Sequence, residues 1–144
     1  MAARLFNEAW GYLDRKDRSP EENAEMLNLA HASRYHWGVV GSPVNLAVGD
    51  WQISRVYASL KQPELSLRYA RLSLSICKKN GLGEMLPSAY EAMARAYAVA
   101  RDPRRAAEHL VKARQMLDGL TLVKHEREIY LGQIRDTQHL IDRL

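Results

Sequence analysis

The chain has 144 residues, a single cysteine (Cys77), and 21 Lys and Arg against 17 Asp and Glu. That length suits one domain able to bury a core without metal or disulfide, and a lone cysteine excludes an intramolecular bridge and fits a reducing compartment. The charge of +4 is spread along the chain, with short doublets at Lys78–Lys79 and Arg104–Arg105, so the concentrated cationic face of a nucleic-acid binder is missing.

The first residues, Met1 to Phe6, carry a charge and no long apolar run, so no secretory leader is expected. No stretch approaches the roughly 20 apolar residues of a bilayer span. The reading is a soluble cytoplasmic protein with neither membrane nor nucleic acid as partner.

Ala, Leu, Arg and Glu dominate, and no extended run alternates apolar with polar residues, which predicts an all-α chain. A first helix covers about 3–15. Ser19-Pro20-Glu21-Glu22 is a capping box with proline at the first helical position, opening a helix at 20–37. Gly38-Val39-Val40-Gly41-Ser42 is then the longest irregular stretch. Ser42-Pro43 starts the third helix, 43–61, and Gln62-Pro63 the fourth, 63–79, which Asn80-Gly81 ends. A fifth spans 85–101. Asp102-Pro103 opens the sixth, 103–118, closed by Asp118-Gly119, and a seventh covers 121–142. Short connections force consecutive helices into antiparallel hairpins.

Between these elements runs an internal echo. Trp51-Gln52-Ile53-Ser54-Arg55-Val56-Tyr57 aligns with Glu91-Ala92-Met93-Ala94-Arg95-Ala96-Tyr97, matching arginine with arginine and tyrosine with tyrosine 40 residues apart. The same offset pairs Pro63 with Pro103. A fixed period of this length signals a helical repeat, in which each hairpin covers its neighbour's apolar face.

Ala94, Tyr97, the Arg101-Asp102 turn, Ala106 and Ala113 follow the tetratricopeptide pattern of small and aromatic positions. Ser54, Tyr57, the Lys61-Gln62 turn, Ser66 and Ser73 follow it more loosely. The chain thus resembles tetratricopeptide-repeat proteins, with a period longer than that family's usual ~34 residues. The resemblance implies stacked antiparallel hairpins in a right-handed superhelix, with the first helix of each hairpin lining a concave groove. Residues 1–37 form a hairpin without the signature, and 121–142 reads as a closing helix. The segments Ala30–Trp37 and Gly49–Tyr57 are also similar to a set of uncharacterised bacterial proteins, which implies a bacterial origin and lends no activity.

On that scaffold the groove-facing residues are Trp51, Gln52, Arg55, Ser88, Glu91 and Arg95. Repeat equivalence sets Arg55 and Arg95 side by side, with Glu91 one turn before Arg95 and able to pair with it. A carboxylate or phosphate would bridge both guanidinium groups, beside the broad face of Trp51. The plainer alternative is an ion network that only holds the stack.

A second cluster, His31, Arg34, Tyr35, His36 and Trp37, concentrates polar and aromatic groups before the glycine-bearing loop. His31 and His36 lie about 140° apart around a helix, not the i, i+4 spacing of a zinc pair. A metal there needs a break in the helix near Tyr35. A small polar pocket against the helix starting at Pro43 is the alternative use, against a plain reading of hydrogen-bonded packing.

No catalytic motif emerges. Cys77 lies on an apolar helix face, where only Lys78 would lower its pKa and no histidine is near as a base. Gly81-Leu82-Gly83 lacks the pattern of a phosphate loop. Arg135 and His139 stand closer together than the Arg/His pair of helical ribonucleases.

The leading reading is therefore a non-catalytic binding module, without cofactor or metal, taking a protein segment, an acidic peptide or a small anionic ligand in a helical groove. The second is a small-molecule or metal pocket, with an enzymatic role open, built from His31, Arg34, His36 and Trp37. The third is a structural protein that self-associates as a homodimer through the end faces of a short solenoid.

Overall fold

The computed structural model describes residues 1–144 and contains seven helices and no strand. They are α1 (Ala2–Leu13), α2 (Pro20–Val40), α3 (Pro43–Ser59), α4 (Pro63–Lys79), α5 (Leu86–Val99), α6 (Pro103–Asp118) and α7 (Lys124–Asp142). Four begin on a proline, where the missing N–H costs no intrahelical bond. At α2, Ser19 Oγ accepts from the Glu22 N–H at 3.1 Å and the Ser19 N–H donates to Glu22 Oε1 at 3.0 Å. Asp102 caps α6 in part of the same way, its carboxylate accepting from the Arg105 N–H at 3.1 Å.

One boundary departs from expectation. α2 does not end at Trp37 but continues through Gly38 to Val40, leaving Val39 and Val40 exposed. Gly38 lies inside the helix, where a Cβ would come 3.2 Å from the flexible end of Arg34, at Nη1. No break falls near Tyr35, so the geometry a metal site at His31 and His36 would need is not present.

The 40-residue echo is a structural repeat. Hairpins α3–α4 and α5–α6 turn through the same backbone path, with Lys61 at φ 58° and Arg101 at φ 63°, both left-handed. Next come Gln62 at φ −113°, ψ 81° and Asp102 at φ −110°, ψ 84°. The Gln62 N–H donates to Tyr57 O and the Asp102 N–H to Tyr97 O, each at 2.9 Å. The aromatic environments match too: Tyr57 stacks on Tyr69 at 5.8 Å and Tyr97 meets His109 at 5.0 Å, the same 12 residues on.

Small side chains set how closely the helices approach. Ser54 and Ser66 each donate a hydroxyl to the other's carbonyl, at 2.7 and 2.8 Å, binding α3 to α4. The equivalent Ala94 and Ala106 are fully buried and carry no hydroxyl to bond. Ser73 donates to Ala47 O at 2.8 Å in the same seam. Larger residues fill the ends: Met26, Leu29, Ile53 and Val56 under α1–α3, and Leu110, Leu117 and Ile134 under α5–α7.

The packing order explains the shape. Each helix packs on the next, and α1, α3, α5 and α7 also approach closely in sequence, whereas the backbones of α2, α4 and α6 stay apart. The stack is therefore curved, with the odd-numbered helices on its inner side. No helix is long and apolar enough to cross a membrane.

Candidate functional site

Arg55 of α3 and Arg95 of α5, one repeat apart, converge on one carboxylate. Glu91 is 1% exposed, and its Oε1 accepts from Arg95 Nε at 3.1 Å, Arg95 Nη2 at 2.9 Å and Thr137 Oγ1 at 2.8 Å. Arg55 Nη1 stands 3.6 Å from the same oxygen, an ion pair too long for a hydrogen bond. The second acid, Asp136 of α7, lies 3.9 Å from Arg55 Nη2 and is 63% exposed. Two mostly covered guanidinium groups thus share one buried carboxylate, and the outer carboxylate is held loosely in solvent.

Aromatic faces complete the setting. Trp10 of α1 stacks on Trp51 at 5.5 Å, and the Arg55 guanidinium lies 5.2 Å from the Trp10 ring and 5.9 Å from that of Trp51. Burial, and then the neighbouring charge of Arg95, push the Arg55 pKa down, while Glu91, Asp136 and Asp14 oppose that shift. Arginine keeps its proton at any physiological pH, so the shift measures unfavourable surroundings for a cation rather than a switch. Arg55 Nη1, Glu91 Oε2 and Trp51 Nε1 are all buried without a hydrogen-bond partner.

Above this pair opens a cavity of about 340 Å³. Arg55 and Arg95 form its charged side, and Leu13, Ala58, Val99 and Leu140 supply apolar walls, with Asp14 and Lys61 beside them. The volume suits a small organic group or a single side chain with its terminal charge. A second cavity of about 320 Å³ lies at the far end of the same helices, lined by Trp51, Met85, Ser88 and residues of α7.

The wide, open groove expected from the repeat is not what forms. Gln52 is fully buried and donates Nε2 to Phe6 O at 2.8 Å, so it ties α3 to α1 instead of facing a ligand. Ser88 donates to Gln133 Oε1 at 2.9 Å, and Trp51, 7% exposed, is largely covered by Trp10. Helices α1 and α7 therefore line the inner face themselves, and Glu91, read as groove-facing, is the buried anchor under the arginines. Trp10, Asp136, Thr137 and Leu140 belong to the site and were absent from the sequence reading. The only signal for them was the stripe Ile134, Thr137, Ile141 on α7, which marks an inward face with a polar member.

The structure does not bring the second cluster together. His31 Nε2 lies 3.1 Å from the Tyr57 hydroxyl, and its ring meets Tyr57 and Tyr69 edge-on. Burial lowers its pKa. Arg34 Nε donates to Asp50 Oδ1 at 2.9 Å, Trp37 packs on Phe6 at 5.4 Å, and His36 sits edge-on against Tyr35. These four residues face different partners and line neither cavity above. Just before α3, the Ser42 N–H donates to Asn45 Oδ1 at 3.1 Å.

No group of three or more His, Cys, Asp or Glu side chains is placed to hold a metal ion. Cys77 is fully buried, and burial raises its pKa to about 11. Lys78, expected to lower it, instead lies 5.6 Å from the ring of Tyr90.

Fold and site together define an all-helical stack of hairpins that carries a cationic pocket on its inner face. Comparison with protein-family models, with curated proteins and with solved structures returns no match.

Proposed function

We propose that this chain is a non-catalytic binding module on a tetratricopeptide-like scaffold, recognising an anionic group of a small ligand or protein segment at Arg55 and Arg95. The carrying observation is the shared carboxylate: two guanidinium groups meet one buried acid, Glu91, the further acid beside Arg55, Asp136, is exposed, and both arginines line a cavity with apolar walls. Glu91 holds Arg95 by its Nε and Nη2, and Arg55 makes no hydrogen bond to it. An entering carboxylate or phosphate would complete Arg55's set and displace the exposed Asp136 from its edge. The narrow space between α1 and α7 favours a slender anion or an extended chain over a docking helix.

A purely structural network uses the same ion pairs, and the two readings part on ligand dependence. Calorimetry with linear carboxylates and immobilised acidic peptides tests them, with wild type beside Arg55→Gln and Arg95→Gln. Each substitution should weaken binding by about 1.5–3 kcal/mol, the worth of a charge-assisted hydrogen bond, with the circular-dichroism spectrum kept. Equal affinity of wild type and the double variant would sink the proposal.

A further inference from the structure

A third cavity, of about 500 Å³, adjoins the arginine pocket and shares Lys61, Val99 and Leu140 with it. Arg101 and Arg143 line this outer space with Lys61. The path outward from Arg55 and Arg95 thus crosses an apolar collar, Val99 and Leu140, and reaches three more cations. Asp14 is the only acidic residue lining either cavity.

Two of those cations sit where the backbone disfavours them. Lys61 and Arg101 occupy the left-handed region at φ 58° and 63°, at equivalent places in the two repeat turns. There a Cβ is strained and glycine is not. A cation near a helix C-terminus gains from the dipole, but it would gain as much in the last helical turn, without strain. The repeat instead places a long basic side chain at each strained position, and both point of attachment and cavity lining bring them to the same mouth. Strained residues of this kind collect at ligand sites.

We infer that this mouth is a second anion subsite, so that the ligand carries two anionic groups joined by an apolar segment. The inner group meets Arg55 and Arg95, the spacer crosses Val99 and Leu140, and the outer group meets Lys61 and Arg101. The inference rests on the Arg55–Arg95 reading above and narrows it to dianions.

The test is calorimetry at low ionic strength, where exposed charges are least screened. Butanoate, hexanoate and octanoate are compared with butanedioate, hexanedioate and octanedioate. Wild type should bind at least one diacid roughly tenfold or more tightly than its monoacid, the effect of one added charged hydrogen bond. Arg101→Gly, at a residue that lines only the outer cavity, should erase that preference, leave monoacid affinity unchanged, and raise the urea midpoint by relieving its turn. A purely structural role for this residue would not combine lost selectivity with gained stability.

Equal binding of diacids and monoacids by wild type would overturn the inference while leaving the inner pocket intact, provided monoacid binding still needs Arg55 and Arg95. A preference that survives in the glycine variant would also overturn it. Failure of every acid to bind would overturn this inference and the reading beneath it together.

Discussion

Replacing Glu91 by glutamine tests the heart of the site. The carboxylate is 1% exposed and faces two guanidinium groups that are themselves 17% and 13% exposed at the side chain. Glutamine keeps an acceptor where Oε1 stands, so the bonds from Arg95 and Thr137 can persist. Its amide nitrogen falls at Oε2, which has no partner, so two donors are added beside two arginines. Removing one member of a buried pair costs about 3–5 kcal/mol, and the retained geometry puts glutamine near the lower end, about 3 kcal/mol. For a chain of this size that is a fall of roughly 6–12 °C in Tm.

Urea unfolding followed by circular dichroism measures the loss, with the m value unchanged. The exposed pair Arg104–Glu108 is the control: Glu108→Gln should change stability by less than about 0.5 kcal/mol. The same experiment links stability to binding. With the inner carboxylate neutralised, Arg95 loses its only ion-pair partner and Arg55 keeps only the loosely held Asp136, so octanoate should restore about 1.4 kcal/mol at ten times its Kd. A Glu91→Gln loss no larger than that of Glu108→Gln would refute the claim that this carboxylate is what keeps the two arginines together.

Gly49→Ala should destabilise by about 1–2 kcal/mol despite alanine's better helix propensity, because its Cβ would lie 2.7 Å from Arg34 Cδ and disturb the Arg34–Asp50 pair; a midpoint at or above wild type contradicts this. Cys77, buried with its pKa near 11, should resist a thiol reagent under native conditions and react at the rate of unfolding in urea, and full labelling within minutes in buffer would disprove it. Ser54→Ala/Ser66→Ala together should cost less than about 1 kcal/mol, since both hydroxyls leave at once and the other repeat already carries Ala94 and Ala106 there; a loss above about 2 kcal/mol argues against the equivalence. Burial holds the folded pKa of His31 below 6.5, so the unfolded chain takes up its proton first and stability falls as pH drops through 6.5 toward the folded value. His31→Gln should flatten that slope, and parallel pH profiles for the two proteins would exclude it.

What the sequence disclosed follows from where its information is local. Proline with a polar residue before it announces a helix start without reference to the rest of the chain, and α2, α3, α4 and α6 begin at the expected residue. The repeat was readable because Arg55 and Tyr57 reappear at Arg95 and Tyr97, and equal turns then carry their helices to neighbouring places. The covering of the inner face was not readable. Trp10 meets Trp51, and Thr137 meets Glu91, across more than forty residues, and no motif encodes such a meeting. Gly38 misled because a glycine near a presumed helix end reads as a stop, whereas here the helix runs through it to Val40. His31 and His36 misled for a related reason: closeness in sequence says little about shared surroundings when the residues point to different sides of a helix.

The covering of the inner face is also what changes the kind of ligand the scaffold suits. A curved stack of hairpins with a bare inner side offers a trough wide enough for a partner helix. Here α1 brings Trp10 and α7 brings Thr137 and Asp136 onto that side, and their contacts remove most of Trp51, Gln52 and Glu91 from solvent. Desolvation makes each remaining charge matter more, since attraction between opposite charges strengthens as water is excluded. The same covering leaves Arg55 Nη1 buried without a hydrogen-bond partner. In place of a broad face, the covering leaves a small pocket, and on the proposed reading one carboxylate entering it would answer two guanidinium groups.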